Sequence, residues 1–334
     1  GVAVVFAIVC MAANYFSSNN EVIMYAVATG ISMIPACLVV VLTITMAVGT
    51  KRMVERNVIV RKLDSLEALG AVTDICSDKT GTLTQGKMVV KKAWIPSCGT
   101  YSVGTSNEPF NPTIGDVSFA PLSPLQSGDG DEDSPAANVQ DLLSDNQQLQ
   151  DFLNVASMAN LSHIFESENG EWNARGEPTE IAIQVFASRF NWNRDRWTKG
   201  QGALWHQKAE FPFDSTVKKM SVIFSKIGSK DDQDNSTMIF TKGAVERVVD
   251  SCTSVIWDQE SSTPVALTEE HRDLIFQNME ELAKLGLRVL ALAQRPYTEQ
   301  TRVLEGSELE RESVEKDLCF LGLIGLYDPP RPET

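Results

Sequence analysis

ICSDKTGTLTQGKM, residues 75–88, sets a single carboxylate, Asp78, between a short apolar run and a cluster of phosphate-friendly groups. Lys79 offers a cation, and Thr80, Thr82 and Thr84 offer hydroxyls. Gly81 permits a close backbone approach to an anion. A carboxylate so placed can attack phosphorus and form an aspartyl phosphate. A lysine or a magnesium ion offsets charge on the phosphoryl oxygens, and backbone N–H groups cradle them. The apolar run VTDIC reads as a short strand with Asp78 at its end, where open parallel sheets bind ligands. The same residue types also make an ordinary turn, so DxT alone decides little.

Upstream, residues 2–16 are apolar and uncharged, and residues 22–50 carry no charge at all. A membrane-spanning helix needs about 20 apolar residues, which the second stretch supplies. The first reads as the tail of a helix cut by the start of a fragment. It has no basic region before it, so a signal peptide does not fit. A pair of buried core helices is the alternative. Lys51, Arg52, Arg56, Arg61 and Lys62 follow the second stretch, and the positive-inside rule puts what comes next in the cytoplasm.

The net charge of −15 argues against a nucleic-acid partner. The six cysteines, Cys10, Cys37, Cys76, Cys98, Cys252 and Cys319, show no CxxC spacing. Reduced thiols fit better than disulfides or zinc.

Downstream, NVIV (57–60) and KMVVKKAWI (87–95) read as strands, with the helical turn DSLEALG between NVIV and VTDIC. Residues 99–136 are rich in Gly, Ser, Pro and Asp and read as a disordered, solvated insertion. Within it, DGDED lacks the ligand spacing of a calcium loop. PTEIAIQVFASRF reads as a helix with Pro178 in its first turn. KAEFPF, KMSVIFS and TMIFT read as strands, AVERVVDSC as a short helix. TEEHRDLIFQNMEELAKLG is a longer helix with Ile275, Met279, Leu282 and Leu285 on one face and Gly286 at its C-cap. LRVLALA and LCFLGLIGL are candidate buried strands. Trp192 and Trp197 read as packing residues. His163, His206 and His271 show no ligand spacing.

DKTGTLT as a whole resembles the phosphorylation signature of the P-type ATPases, ion pumps that pass through an aspartyl phosphate. GEPTE (176–180), FPFDSTVKKMSV (211–222), TKGAVERV (241–248), GLRVLALA (286–293) and GLYDPPRPET (325–334) are similar to the family's nucleotide-domain and hinge motifs, in the family's order. The resemblance implies a multi-domain chain. Residues 1–50 would hold two transmembrane α-helices, the third and fourth of the family. Residues 51–86 would be stalk and the first part of an α/β, Rossmann-like phosphorylation domain of the haloacid-dehalogenase type. Residues 87–330 would form an inserted α+β nucleotide-binding domain, and 331–334 would begin the second part of the phosphorylation domain.

By position, the resemblance implies that Asp78 accepts the phosphoryl group, Lys79 contacts it, and Thr80 helps hold Mg²⁺ through its carbonyl beside Asp78. Glu180 would lie near adenine, Phe213 would stack on it, and Lys242 would close the base of the ATP pocket. Arg288 would reach the phosphates, and Asp328 would sit at the hinge beside Pro329 and Pro330. The actuator domain and remaining transmembrane helices would belong to the same polypeptide outside these residues. Pro35 breaks a helical ladder, and Ala36 stands where calcium and sodium–potassium pumps usually carry Glu. In this the stretch looks most like the fungal type IID exporters of Na⁺ and K⁺. By resemblance such a protein has an alkali cation and a lipid bilayer as partners, with the plasma membrane as its expected location. A calcium exporter, a soluble phosphatase of the haloacid-dehalogenase type and a plain nucleotide-binding module are the alternatives.

Overall fold

The computed structural model describes residues 2–17, 19–32, 38–62, 64–96, 98–104, 108–121, 138–144, 146–228, 237–257, 263–297 and 311–331. Of Val2, Ala3, Asp64, Glu67 and Thr80 it describes the backbone alone. The chain divides into two compact units, Gly1–Cys76 and Ser77–Thr334.

The first unit is helical. α1 (Val2–Ala13) packs against α2 (Asn20–Ser32); α3 (Leu38–Val54) and α4 (Asp64–Gly70) follow. Val4, Val5, Ile8, Met24, Val27, Leu38, Val39 and Ile44 are exposed, and Ala26 is the buried apolar residue of this unit among those described. Among the described residues no helix is long and apolar enough to cross a membrane. The expected span over 22–50 appears as α2 and α3 on either side of 33–37. Pro35 and Ala36 therefore lie outside the described residues, as does Cys37.

The expected strands at 57–60 and 72–76 do not form. Both stretches are irregular, and Ile59, Val72 and Ile75 are exposed. A strand exists only through the ladder it makes with a neighbour, and neither stretch has a partner strand among the described residues. The α-helical turn between them is present as α4.

The second unit is built on a ten-stranded, mostly antiparallel sheet. Its main path runs β3 (Val117–Pro121), β2 (Gly99–Val103), β1 (Val89–Ile95), β12 (Leu318–Tyr327), β11 (Arg288–Pro296), β8 (Thr237–Ala244), β7 (Lys219–Lys226), β6 (Trp205–Asp214). β9 (Cys252–Val255) pairs in parallel with β12, and β10 (Val265–Ala266) pairs with β9. A separate hairpin joins β4 (His163–Glu166) and β5 (Trp172–Arg175).

The continuous apolar run of β12 follows from its central place, since nine of its ten residues are buried. One sheet face is covered by α6 (Gln147–Met158) and α7 (Pro178–Arg189), through Leu149, Phe152, Ile183 and Phe186. The other is covered by α9 (Val245–Val249) and α10 (Glu269–Lys284), through Val245, Val248, Ile275 and Leu282. Strands so covered need apolar residues on both faces. α5 (Val139–Leu143), α8 (Arg194–Thr198) and α11 (Arg311–Val314) are short connecting helices.

The insertion expected over 99–136 is in part core. β2 and β3 lie inside it, and Tyr101, Val103 and Val117 are buried. Residues 105–107 and 122–137, with DGDED, lie outside the described residues. Leu285 leaves the expected helix face and is 45% exposed, because it already belongs to the C-cap. Trp192 and Trp197 do pack, with ring centroids 5.0 Å apart. His271 closes a capping box with Thr268 at the start of α10.

Candidate functional site

Residues 79–83 form a single π turn after Asp78. Gly81 has φ +78°, a left-handed conformation that suits glycine. The Thr84 amide closes the turn on the Lys79 carbonyl at 3.1 Å. Asp78 has extended backbone, and its exposed side chain makes no capping hydrogen bond to the turn.

The turn is held from the far end of the chain. The Thr84 hydroxyl donates to Asp328 Oδ2 at 2.6 Å, and the Gly86 amide donates to Oδ1 at 3.1 Å. Arg331 donates from Nη2 to the Gly81 carbonyl at 2.9 Å and from Nε to the Thr84 carbonyl at 3.2 Å. Backbone bonds from Gln85 N to Pro329 O and from Arg331 N to Leu83 O complete the clamp. Both Asp328 oxygens are thus engaged in fixing the Asp78 turn. Thr84, read from sequence as a phosphate donor, turns its hydroxyl to Asp328 instead. Arg331 was not singled out from sequence, although it directly follows the prolines of the same motif.

A second constellation forms on the sheet. Pro178 starts α7, which puts Glu180 in its first turn. Lys242 lies on β8, and its Nζ is 2.8 Å from Glu180 Oε1. The pair is nearly buried, with side chains 7% and 12% exposed for Lys242 and Glu180. Glu180 Oε2 accepts from the Leu161 amide at 3.1 Å, and Asn160 Nδ2 donates to the Glu180 carbonyl at 2.8 Å. Arg194 donates to the Asn160 carbonyl and, at 2.6 Å, to Gln207 Oε1 of β6. Burial lowers the Lys242 pKa, Glu180 pulls it back up, and Arg194 pushes it down.

Phe213 near the end of β6 is 59% exposed, a bare ring on the surface. Arg288, exposed, opens β11, which pairs with β8 through Leu292 and Lys242. Of the four pocket residues expected from sequence, Glu180 and Lys242 are in direct contact. Phe213 and Arg288 sit on strands to either side of β8.

Gly243 explains its place beside Lys242. A Cβ there would meet the Lys218 carbonyl at 2.5 Å, and that carbonyl accepts from the Ala244 amide at 3.0 Å. The turn before β7 is tied down by Asp214, whose carboxylate accepts from the Thr216 and Val217 amides. Those bonds lower its pKa. A cavity of about 210 Å³ lies elsewhere, lined by Val89, Val103, Phe186, Arg189 and Pro329. Its Arg189 is engaged with the Ile114 and Gly115 carbonyls, so the cavity presents no free cation from that residue.

Residues 148–333 match the family model described as P-type ATPase, cytoplasmic domain N. The chain belongs to the P-type ATPase family. The antiparallel sheet between α6–α7 and α9–α10 is therefore that of domain N, and the soluble-phosphatase reading falls. The chain is 43% identical over its whole length to the sodium/potassium exporting P-type ATPase cta3 of Schizosaccharomyces pombe, covering 30% of that protein. It is 42% identical to the sodium/potassium exporting P-type ATPase 1 of Saccharomyces cerevisiae, covering 33%. It is 32% identical to the calcium-transporting ATPase 1 of Bacillus cereus, covering 31%. The chain thus spans about a third of the length of these relatives.

Proposed function

We propose that this chain is the phosphoacceptor turn, nucleotide-binding domain and adjoining membrane helices of an ATP-driven pump that exports Na⁺ and K⁺ from the cytoplasm. The observation that carries the reading is Asp78, an exposed carboxylate without a capping bond, on a turn clamped by Asp328 and Arg331. A preorganised turn holds the nucleophile while leaving its oxygens available for attack. One Asp78 oxygen attacks the γ-phosphorus of ATP. The bond from that phosphorus to the bridging oxygen breaks, and ADP departs with the electron pair.

Lys79 offsets charge on the transferred group. Hard oxygen donors suit Mg²⁺, and the Asp78 carboxylate and Thr80 carbonyl are donors of that kind. The ion, when bound, neutralises phosphoryl charge. Adenine stacks on Phe213, Glu180 and Lys242 form the pocket base, and Arg288 meets the phosphates. Domain limits at 1–50, 51–86, 87–330 and 331–334 accompany this reading.

Membrane residence belongs to the same proposal. The exposed aliphatic side chains of α1, α2 and α3 suit lipid. Lys51 and Arg52 in the last turn of α3 mark its cytoplasmic end. The alkali-cation cargo rests on the higher identity to the sodium/potassium exporters than to the calcium transporters. The plasma membrane is the proposed location.

The test uses the full-length parent in membranes with γ-labelled ATP. Acid-stable, hydroxylamine-labile label is expected in wild type and in Asp74→Asn, and none in Asp78→Asn. Label persisting in Asp78→Asn would remove the proposal.

A further inference from the structure

The sheet strands that carry the nucleotide pocket also carry a buried ionic cluster on their other face. Side chains alternate along β8, so Thr241 and its neighbour Lys242 point to opposite faces. Thr241 Oγ1 lies 2.8 Å from Ser221 Oγ of β7, and Ser221 in turn donates to Glu315 Oε1 at 2.7 Å. Arg311 Nε donates to the same oxygen at 2.9 Å. Glu315 Oε2 lies 3.4 Å from Lys219 Nζ, which donates to Ser251 Oγ at 2.8 Å. The Glu315 side chain is 2% exposed and that of Lys219 10%. Arg311 also donates from Nη2 to the Lys219 carbonyl at 2.5 Å.

This cluster grips the chain next to the pocket. Lys219 follows Lys218, whose carbonyl accepts from Ala244 and abuts Gly243. Gly243 in turn follows Lys242. The turn closed by Asp214 joins Lys219 to Phe213. Lys219 pairs across the sheet with Asp214 on one side and Gly243 on the other, so a shift of Lys219 reaches the neighbours of both Phe213 and Lys242.

We infer that Glu315 is a positioning residue for the nucleotide pocket, holding Lys219 and Arg311 so that the Lys218–Gly243 contact fixes Lys242 and Phe213. The inference rests on the nucleotide reading of Glu180, Phe213 and Lys242. Its physical basis is the cost of an unpaired buried charge. Without the Glu315 carboxylate, the Lys219 ammonium keeps Ser251 alone and must move toward water, taking the start of β7 with it.

The experiment measures ATP affinity and melting temperature of the 334-residue chain for wild type, Glu315→Gln and Glu315→Gln with Lys219→Met. Glu315→Gln is expected to weaken ATP binding about tenfold, within the span seen for substitutions that act through a network. The double variant strands no buried ammonium, and Arg311, 20% exposed, keeps its bond to the carbonyl of residue 219, so ATP binding is expected to return to within about twofold of wild type. Unchanged ATP affinity in Glu315→Gln, whatever happens to its melting temperature, overturns the inference. So does a double variant that binds as weakly as the single. Should Glu315→Gln fail to fold, Glu315→Asp takes its place by the same criterion, since it keeps the charge but withdraws it from Ser221 and Lys219. Wild-type chain that binds no ATP overturns the nucleotide reading and this inference together. Wild-type binding with an indifferent Glu315 overturns the inference alone.

Discussion

At Lys242 the cost of burial and the proposed pocket meet in one side chain. A lysine side chain that is 7% exposed persists because Glu180 lies 2.8 Å away and is itself held by the Leu161 amide. Breaking such a pair leaves an unpaired buried charge, so Glu180→Ala is expected to cost about 3–5 kcal/mol in urea denaturation. The pH dependence follows from the direction of the Lys242 shift. Its folded pKa lies below its unfolded value, so the unfolded chain binds more protons in the window between them. Stability then rises with pH up to about 10.4, the unfolded lysine value. Glu180→Ala removes the group that pulls this pKa up, so its rise is expected to begin at lower pH and be steeper than in wild type. Equal slopes for the two proteins would show that Lys242 does not depend on Glu180. Phe213 poses the opposite case. It is 59% exposed, and Phe213→Ala is expected to leave stability within about 0.5 kcal/mol. If the ring stacks on adenine, ATP affinity falls by about 1–3 kcal/mol, read by calorimetry.

The π turn after Asp78 shows what an element gains from a distant partner. Five residues with a left-handed glycine have little intrinsic reason to hold one shape. Asp328 and Arg331 hold the turn from the end of β12. Asp328→Ala leaves the Gly86 amide without its acceptor and the Thr84 hydroxyl with only the longer bond to the Lys79 carbonyl at 3.2 Å, and hydrogen bonds to a charged group are worth about 1.5–3 kcal/mol each. The Gly86 amide is expected to lose hydrogen-exchange protection, while amides of β8 and β11 keep theirs. Loss across the whole sheet would mean that Asp328 serves the fold and not the turn. Legibility in the sequence followed the range of the interactions. α7 and β12 were readable because Pro178 and a continuous apolar run are local signals. Tyr101 and Val117 lie hidden among Gly, Ser and Pro, so the sequence of β2 and β3 reads as insertion. The strands expected at 57–60 and 72–76 had local pattern without a partner to pair with. For the proposed site, the motifs bring forward Asp78, Glu180 and Lys242, and the structure pairs the last two. The Asp328–Thr84 bond was not legible, since nothing in sequence relates positions 244 apart.

For the molecule as a whole, the proposed cargo turns on charge at membrane depth. A divalent ion there needs compensating carboxylates, because uncompensated charge in hydrocarbon costs several kcal/mol. The helical unit offers neutral oxygens. Ser32 donates its hydroxyl to the Thr29 carbonyl, Thr43 to that of Val40, and Thr45 to those of Val41 and Leu42. Each hydroxyl proton is thereby spent on the helix, which leaves oxygen lone pairs as acceptors toward a cation. Neutral oxygens of this kind match a monovalent alkali ion better than Ca²⁺. The proposed pump should therefore form phosphoenzyme in response to millimolar Na⁺ or K⁺, measured in membranes holding the full-length parent. Thr43→Val and Thr45→Val each remove one such oxygen at nearly constant volume, and are expected to raise the Na⁺ concentration for half-maximal phosphorylation while sparing ATP affinity. Phosphorylation driven by micromolar Ca²⁺ with no response to Na⁺ or K⁺ would defeat the alkali-cation reading. It would place the compensating carboxylates on other helices of the parent, and the Asp78 chemistry would stand unchanged.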